Sequence, residues 1–386
     1  MRNSRNSTLH KIDTSTRFDA DPTSAPTRAE VHLGRLIQNL DVFRRTAPSA
    51  EVMAVVKADA YGHGAPRVAA ALSEAGVTWF AVATVPEGIR LRKSGVEGRI
   101  LVLGAPFPDY IHFYGEYDLD ITISSEEIAE HIIAAEMGPF RAHVKIETGM
   151  NRIGIPCRDA VRVVRRLEMS GHVRLEGLWT HFAAADGTDL DFSRRQLAQF
   201  NETIKPLEDA APRIHTANSA AALRLPESVQ HPRALMRIGI GLYGYSALEG
   251  LAEDSGLRPV MTVTSQITHL KSVATGESVS YGRRWTADHP TRIATVGAGY
   301  ADGYPRLLSN RGDVSIGGVR YPIAGTVCMD MFMVDVGTAA DISVGDEVVL
   351  FGPKAPDAYQ IAAWAETIPY EILTGVTARV PRVFVS

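Results

Sequence analysis

The 386-residue chain lacks the features that would commit it to several common roles. Its only cysteines are Cys157 and Cys328. They allow one disulfide at most and lack the spacing of a zinc site. No apolar stretch approaches the roughly 18 residues that a membrane span needs. Acidic and basic residues nearly balance, 44 against 40, for a net charge of −4, so no basic excess points to nucleic acid. There are no internal repeats, no low-complexity linkers, and no cluster near the C-terminus that would hold a divalent metal. Residues 1–26 are polar, with no apolar core between Leu9 and Ala25. That excludes a readable secretory leader and leads us to expect a flexible N-terminal arm. A cytoplasmic enzyme without a metal is the class that remains.

The chain has a 45% hydrophobic composition and enough length for two domains. Short apolar runs occur at 53–57, 79–83, 100–103, 119–123, 142–147, 177–181, 213–216 and 234–238. Amphipathic helical stretches lie between them at 66–74, 126–135, 158–169 and 192–207, and another is expected over 34–45. Eight strands alternating with helices fit a (β/α)8 barrel or a doubly wound sheet. The residues that end the runs decide between them: Lys57, Lys145 with Glu147, His181, Asn218 with Ser219, and Arg237. A barrel gathers its strand ends at one face, whereas an open sheet scatters them. After residue 250 the runs become rich in Val, Ile and Thr and are bounded by glycines, with one helical stretch at 359–368. The expectation is an α/β chain: an N-terminal (β/α)8 TIM-type barrel over 27–250 and a mainly-β domain over 251–386.

The most informative stretch is the apolar run that ends at Lys57 and continues Ala58-Asp59-Ala60-Tyr61-Gly62-His63-Gly64. A strand that delivers a lysine to a barrel's C-terminal end places an amine where a ligand can meet it. Partial desolvation lowers the basicity of such an amine and makes it able to condense with a carbonyl. Tyr61, four residues on, can reach back over the same place. Ser219, just past a strand, and Gly239-Ile240 offer the hydroxyl and close backbone approach that a phosphate wants. Arg237 lies among apolar neighbours in Leu235-Met236-Arg237-Ile238, a poor setting for a surface ion pair.

Further strings recur along the chain in order: Lys145-Ile146-Glu147-Thr148-Gly149-Met150-Asn151-Arg152, Thr180-His181-Phe182-Ala183, His215-Thr216-Ala217-Asn218-Ser219, and Arg237-Ile238-Gly239-Ile240-Gly241. Val279-Ser280-Tyr281-Gly282, Gly299-Tyr300-Ala301-Asp302-Gly303, Cys328-Met329-Asp330 and Pro369-Tyr370-Glu371 follow. Together with the Lys57 string they resemble the alanine racemase family from about Thr27 to Ser386. The resemblance implies an isomerase that interconverts L- and D-alanine with pyridoxal 5'-phosphate (PLP) and supplies D-alanine for peptidoglycan. It implies that Lys57 carries the cofactor and that Tyr61, His181, Asn218, Ser219, Gly239, Ile240 and Tyr370 surround it. Arg237 would face the pyridine nitrogen. An arginine keeps its proton, so that nitrogen would stay unprotonated and the ring would be a weaker electron sink.

Racemisation needs acid–base groups on both faces of the α-carbon. The resemblance assigns Lys57 to one and Tyr281 to the other, with a nearby cation helping a tyrosine whose ordinary pKa is about 10. Arg152 would receive the substrate carboxylate, oriented by Lys145 where that lysine is carbamylated. Tyr281, Tyr300, Met329 and Asp330 would enter from the partner subunit of a homodimer with shared sites. Tyr300, Tyr370 and Ala184 would form an inner entrance ring, with Asp186 and Arg306 further out. In two places the chain departs from the family pattern. Thr326 stands where arginine is more usual, which implies a wider or less basic entrance, and Asn151 stands where glycine is common. The alternatives are a serine or broad-specificity racemase and a non-catalytic PLP-binding carrier. A barrel decarboxylase or aldolase is a further rival. The carrier would lack the mainly-β tract, and Arg237 argues against a decarboxylase.

Overall fold

The structure is a computed structural model that describes residues 25–386 apart from 135, 137, 208, 247, 249, 339 and 340. Residues 1–24 of the expected arm lie outside the described residues.

The chain opens with a strand, β1 (Arg28–His32), followed by the helix Leu33–Thr46. Eight strands then form a parallel set: β2 (Glu51–Val55), β3 (Trp79–Val82), β4 (Arg99–Val102), β5 (Asp120–Ile123), β6 (Phe140–Glu147), β7 (Val173–Trp179), β8 (Arg213–His215) and β9 (Leu235–Ile238). Each pairs with the next in chain order from β2 to β8, and β9 returns to pair with β2. A single parallel bridge between Ile214 and Ala234 joins β8 to β9 and closes the ring. This is the expected barrel, with every one of the eight runs in place. β3, β5 and β9 are buried at every position, as strands covered on both faces must be, so they read as continuous apolar runs.

The second sheet is antiparallel in the main and is built around the long strand β10 (Met261–Val273), which pairs with Thr291–Val296 and Glu347–Phe351. β1 belongs to this sheet although it precedes the barrel in the chain. It lies between β10, to which it is antiparallel, and the last strand Arg382–Val385, to which it is parallel. One helix that the apolar spacing did not reveal, Val85–Lys93, is announced by its cap. The side chains of Thr84 and Glu87 form a capping box across its first turn.

Candidate active site

At the C-terminal end of the barrel a cavity of about 460 Å³ is lined by Lys57, Tyr61, Arg152, Trp179, His181, Asp186, Asn218, Ser219, Arg237, Gly239, Ile240 and Tyr370, among others. Eleven residues singled out in the sequence therefore meet there: Lys57, Tyr61, Arg152, His181, Asp186, Asn218, Ser219, Arg237, Gly239, Ile240 and Tyr370.

Lys57 sits just past the strand instead of in it, because β2 ends at Val55. The next four residues, Ala58 to Tyr61, all have φ between 51° and 56°, a left-handed helical turn made without glycine. Such a conformation costs on the order of 1–2 kcal/mol per residue, so the surroundings must hold it. Glu87 accepts a hydrogen bond from the Ala58 N–H at 2.7 Å, and Asp59 accepts one from Ala65 N–H at 2.9 Å. The His63 Nδ1–H points to the carbonyls of Ala60 and Tyr61 at 3.0 and 2.9 Å. Burial lowers the His63 pKa to about 4, which keeps the ring neutral. Arg382 closes the turn from the far end of the chain by donating to the Gly62 carbonyl. Gly62 is obligatory: its φ is +82°, and a Cβ there would stand 2.2 Å from the Leu373 carbonyl oxygen. The reversed hand swings Tyr61 back over the cavity, where its hydroxyl occupies the space that a Cβ on Gly239 would need. The Ser219 hydroxyl accepts from the N–H groups of Gly239 and Gly241 at 3.0 and 3.3 Å. Asn218 uses its side-chain oxygen to cap the following helix at Ala221 N–H.

Arg237 is 3% exposed and makes the floor of the cavity. It donates to the carbonyls of His215, Thr180 and Thr216 and lies over the Trp179 ring. Burial lowers its pKa to about 9, with the charge of Arg152 adding to the shift, and it stays cationic near neutrality. Arginine can only donate, so the ring nitrogens it meets must accept: His181 Nδ1 and His215 Nδ1, each at 3.2 Å. His215 then carries its proton on Nε2, which faces His143 Nδ1 at 2.9 Å, and His143 Nε2–H reaches Asp120 at 3.2 Å. One donor thus sets the tautomers of a buried chain that ends at Asp120, itself paired with Arg99 and Arg141. Burial and neighbouring cations hold His181 and His215 well below the usual imidazole range, so neither is charged. Read along the chain, nothing sets His143 or His215 apart from ordinary core histidines. Their role appears only once the strands are side by side.

The lysines are depressed as well. Burial lowers the Lys57 pKa, and Arg152 pushes it further than Glu87 can restore. Burial takes Lys145 down to about 8 against the pull of Glu147, whose carboxylate lies 3.8 Å away. Arg152 is exposed, and Asn151 before it has φ +54°. The departure at 151 is therefore benign: asparagine tolerates the left-handed backbone that explains glycine elsewhere.

The remaining singled-out residues are elsewhere. Tyr281, Tyr300, Met329 and Asp330 line an open depression of about 660 Å³ on the second sheet, and it shares no residue with the barrel cavity. Tyr281 is 75% exposed. Asp330 pairs with Arg379 at 2.6 Å. Of the expected entrance residues, Tyr370 and Asp186 line the barrel cavity, while Ala184 and Arg306 line neither. Thr326 is 2% exposed and lines neither cavity, because its hydroxyl turns inward to the Tyr281 carbonyl.

The chain matches the alanine racemase N-terminal domain over residues 31–247 and the alanine racemase C-terminal domain over 260–384. It belongs to the alanine racemase family. An alanine racemase of Geobacter sulfurreducens is 42% identical over 94% of this chain and 98% of its own length. One of Halothermothrix orenii is 40% identical over 92% and 96%. The solved alanine racemase of Clostridium difficile superposes with a TM-score of 0.88 at 35% identity, covering 94% of this chain and 96% of that one. The possession of both family domains sets the chain apart from a barrel-only carrier.

Proposed function

We propose that this racemase interconverts L- and D-alanine with PLP bound through Lys57, as a cytoplasmic homodimer that supplies D-alanine for peptidoglycan. The barrel cavity carries the reading. Three of its lining side chains are basic, Lys57, Arg152 and Arg237, against the single carboxylate of Asp186. That balance fits a cofactor with a phosphate and a substrate with a carboxylate. The Ser219–Gly239 corner and the hydroxyls of Tyr61 and Tyr370 suit the phosphate, Asn218 and Ile240 shape the wall beside it, and His181 steadies Arg237.

When bound, PLP supplies an electron-withdrawing ring that acidifies the α-carbon of the amino acid. Arg237 would donate to the ring nitrogen and keep its own proton. Arg152 binds the substrate carboxylate, and Lys145, carbamylated in its neutral form, orients that arginine. The amine of Lys57, with its lowered pKa, moves a proton at one face of the α-carbon. Tyr281 of a second copy moves the other proton at the opposite face, with Tyr300, Met329 and Asp330 closing the pocket around the substrate. One proton leaves as another arrives, and the configuration inverts. The separation of the two cavities within one chain, and the exposure of Tyr281, support this division between copies.

Incubation of the purified protein with L-alanine in deuterium oxide should yield D-alanine labelled at the α-carbon. Borohydride reduction and peptide mapping should place a pyridoxyl group on Lys57. No D-alanine, or a label on Lys145 or Lys271, would overturn the reading.

A further inference from the structure

Tyr281 is three-quarters exposed, so its side chain is placed chiefly by its own backbone. That backbone is unusual. Ser280, the residue before it, has φ 69° and ψ 179°, a region that glycine enters freely and other residues seldom occupy. A glycine would adopt this conformation without strain, yet the residue is a serine, and its hydroxyl is in use. Ser280 Oγ–H donates to the carbonyl of Thr326 at 2.7 Å. Thr326 returns the bond: its Oγ1–H donates to the carbonyl of Tyr281 at 2.9 Å. Two segments far apart in sequence thus each hold the other's main chain with a side-chain hydroxyl.

The Thr326 side of this pair is anchored. Asn310 accepts a hydrogen bond from the Gly325 N–H at 2.5 Å, and Ser309 accepts one from Val327 N–H at 3.0 Å. Gly325, at φ +88°, lets the segments touch, since a Cβ there would stand 2.8 Å from that of Ser280. Cys328 packs its sulfur 3.5 Å from the Ser280 hydroxyl. Buried Thr326 is therefore a fixed point, and the strained turn that presents Tyr281 hangs from it.

We infer that Ser280 and Thr326 are positioning residues, a reciprocal hydroxyl clamp that sets the direction in which Tyr281 is offered to the second copy's cavity. This rests on the reading of Tyr281 as an acid–base group, and it gives Thr326 a part that its expected place at the entrance did not.

The test uses the holoenzyme with 3-fluorotyrosine incorporated, the Tyr281 fluorine resonance being identified by its loss in Tyr281→Phe. Thr326→Val keeps the shape and removes the hydroxyl. It should shift or split that resonance and lower kcat by about 10²-fold, the scale of a misplacement near 1 Å, while KM for L-alanine holds. Thr326→Ser, which restores the hydroxyl, should return both to near wild type. Ser280→Ala and Ser280→Gly should each disturb the resonance, although glycine relieves the backbone strain. An unchanged resonance and kcat in Thr326→Val would overturn the clamp, as would equal damage from Thr326→Ser and Thr326→Val, which would assign the effect to packing. If Tyr281→Phe itself keeps full turnover, the acid–base reading falls, and the resonance alone then decides the clamp.

Discussion

At the barrel's C-terminal end, Arg237 and the segment that carries Lys57 are braced. Arg237 is buried under carbonyls and histidines, the lysines are pushed down in pKa by burial, and the turn after Lys57 is held by Glu87, Asp59 and Arg382. In the depression on the second sheet the reverse holds. Tyr281, Met329 and Tyr300 are exposed, and their arrangement depends on the main chain beneath them. The contrast teaches where each half obtains its chemistry. The barrel half tunes groups by desolvation and needs no second copy to do so. The sheet half only holds out side chains, which on the proposed reading act when a second copy covers them.

The sharpest way to break this contrast is to remove one group from each half. On the proposed reading Lys57→Ala takes away both the cofactor anchor and one acid–base group, and turnover should drop below detection, beyond the about 10⁴-fold weight of a single such group. Tyr281→Phe removes one acid–base group alone and should lower kcat by about 10²- to 10⁴-fold, with the pyridoxyl label on Lys57 intact. Tyr281→Phe losing the label as well would mean that the sheet half helps build the cofactor site.

Mixing the two inactive variants sharpens the comparison further. If each site takes its lysine from one copy and its tyrosine from the other, a mixed dimer has one site with both lesions and one with neither. Random exchange of equal amounts makes about half the dimers mixed, so activity should recover to about a quarter of wild type under two-fold pairing. Continued inactivity despite proven subunit exchange would place Lys57 and Tyr281 in one chain.

The smallest expected effect lies in acid and belongs to the barrel alone. Asp120 is wholly buried. Burial pushes its pKa up, yet the hydrogen bonds from His143 and Arg99, with the charge of Arg99, outweigh it and hold the carboxyl at about 2. A carboxyl depressed on folding stabilises the protein above its unfolded pKa near 4, and that stability is lost as pH falls toward 2. The contribution is about 2–3 kcal/mol. Urea unfolding between pH 5 and pH 3 should lose stability more steeply in wild type than in Asp120→Asn. Parallel slopes would show that the buried chain from Arg237 to Asp120 is not a source of acid sensitivity.

Much of this was legible in the residues, because barrel strands buried on both faces leave short apolar runs and the family strings fall at their ends. What escaped depends on contacts between distant segments. The left-handed turn after Lys57 cannot be read from Ala58-Asp59-Ala60, since Glu87 and Arg382 impose it. The helix Val85–Lys93 buries too few apolar residues to show a period, although Thr84 and Glu87 were there to be noticed as a cap. Thr326 looked like an entrance residue because only the fold reveals that its side chain turns inward.

The placement of β1 has a consequence for how the molecule comes to exist. The first strand lies between β10 and the last strand of the chain, and His32 N–H bonds to Val260 O at 2.9 Å, so the two crossings between barrel and sheet run side by side. In topology the barrel is an insertion between two neighbouring strands of the other sheet. During synthesis β1 is made before either neighbour, and it waits with both edges unpaired until Met261–Val273 has been made and with one edge unpaired until Arg382–Val385 follows. A fragment holding only residues 251–386 would lack an inner strand and carry two raw edges, so the second half cannot be produced faithfully without Arg28–His32.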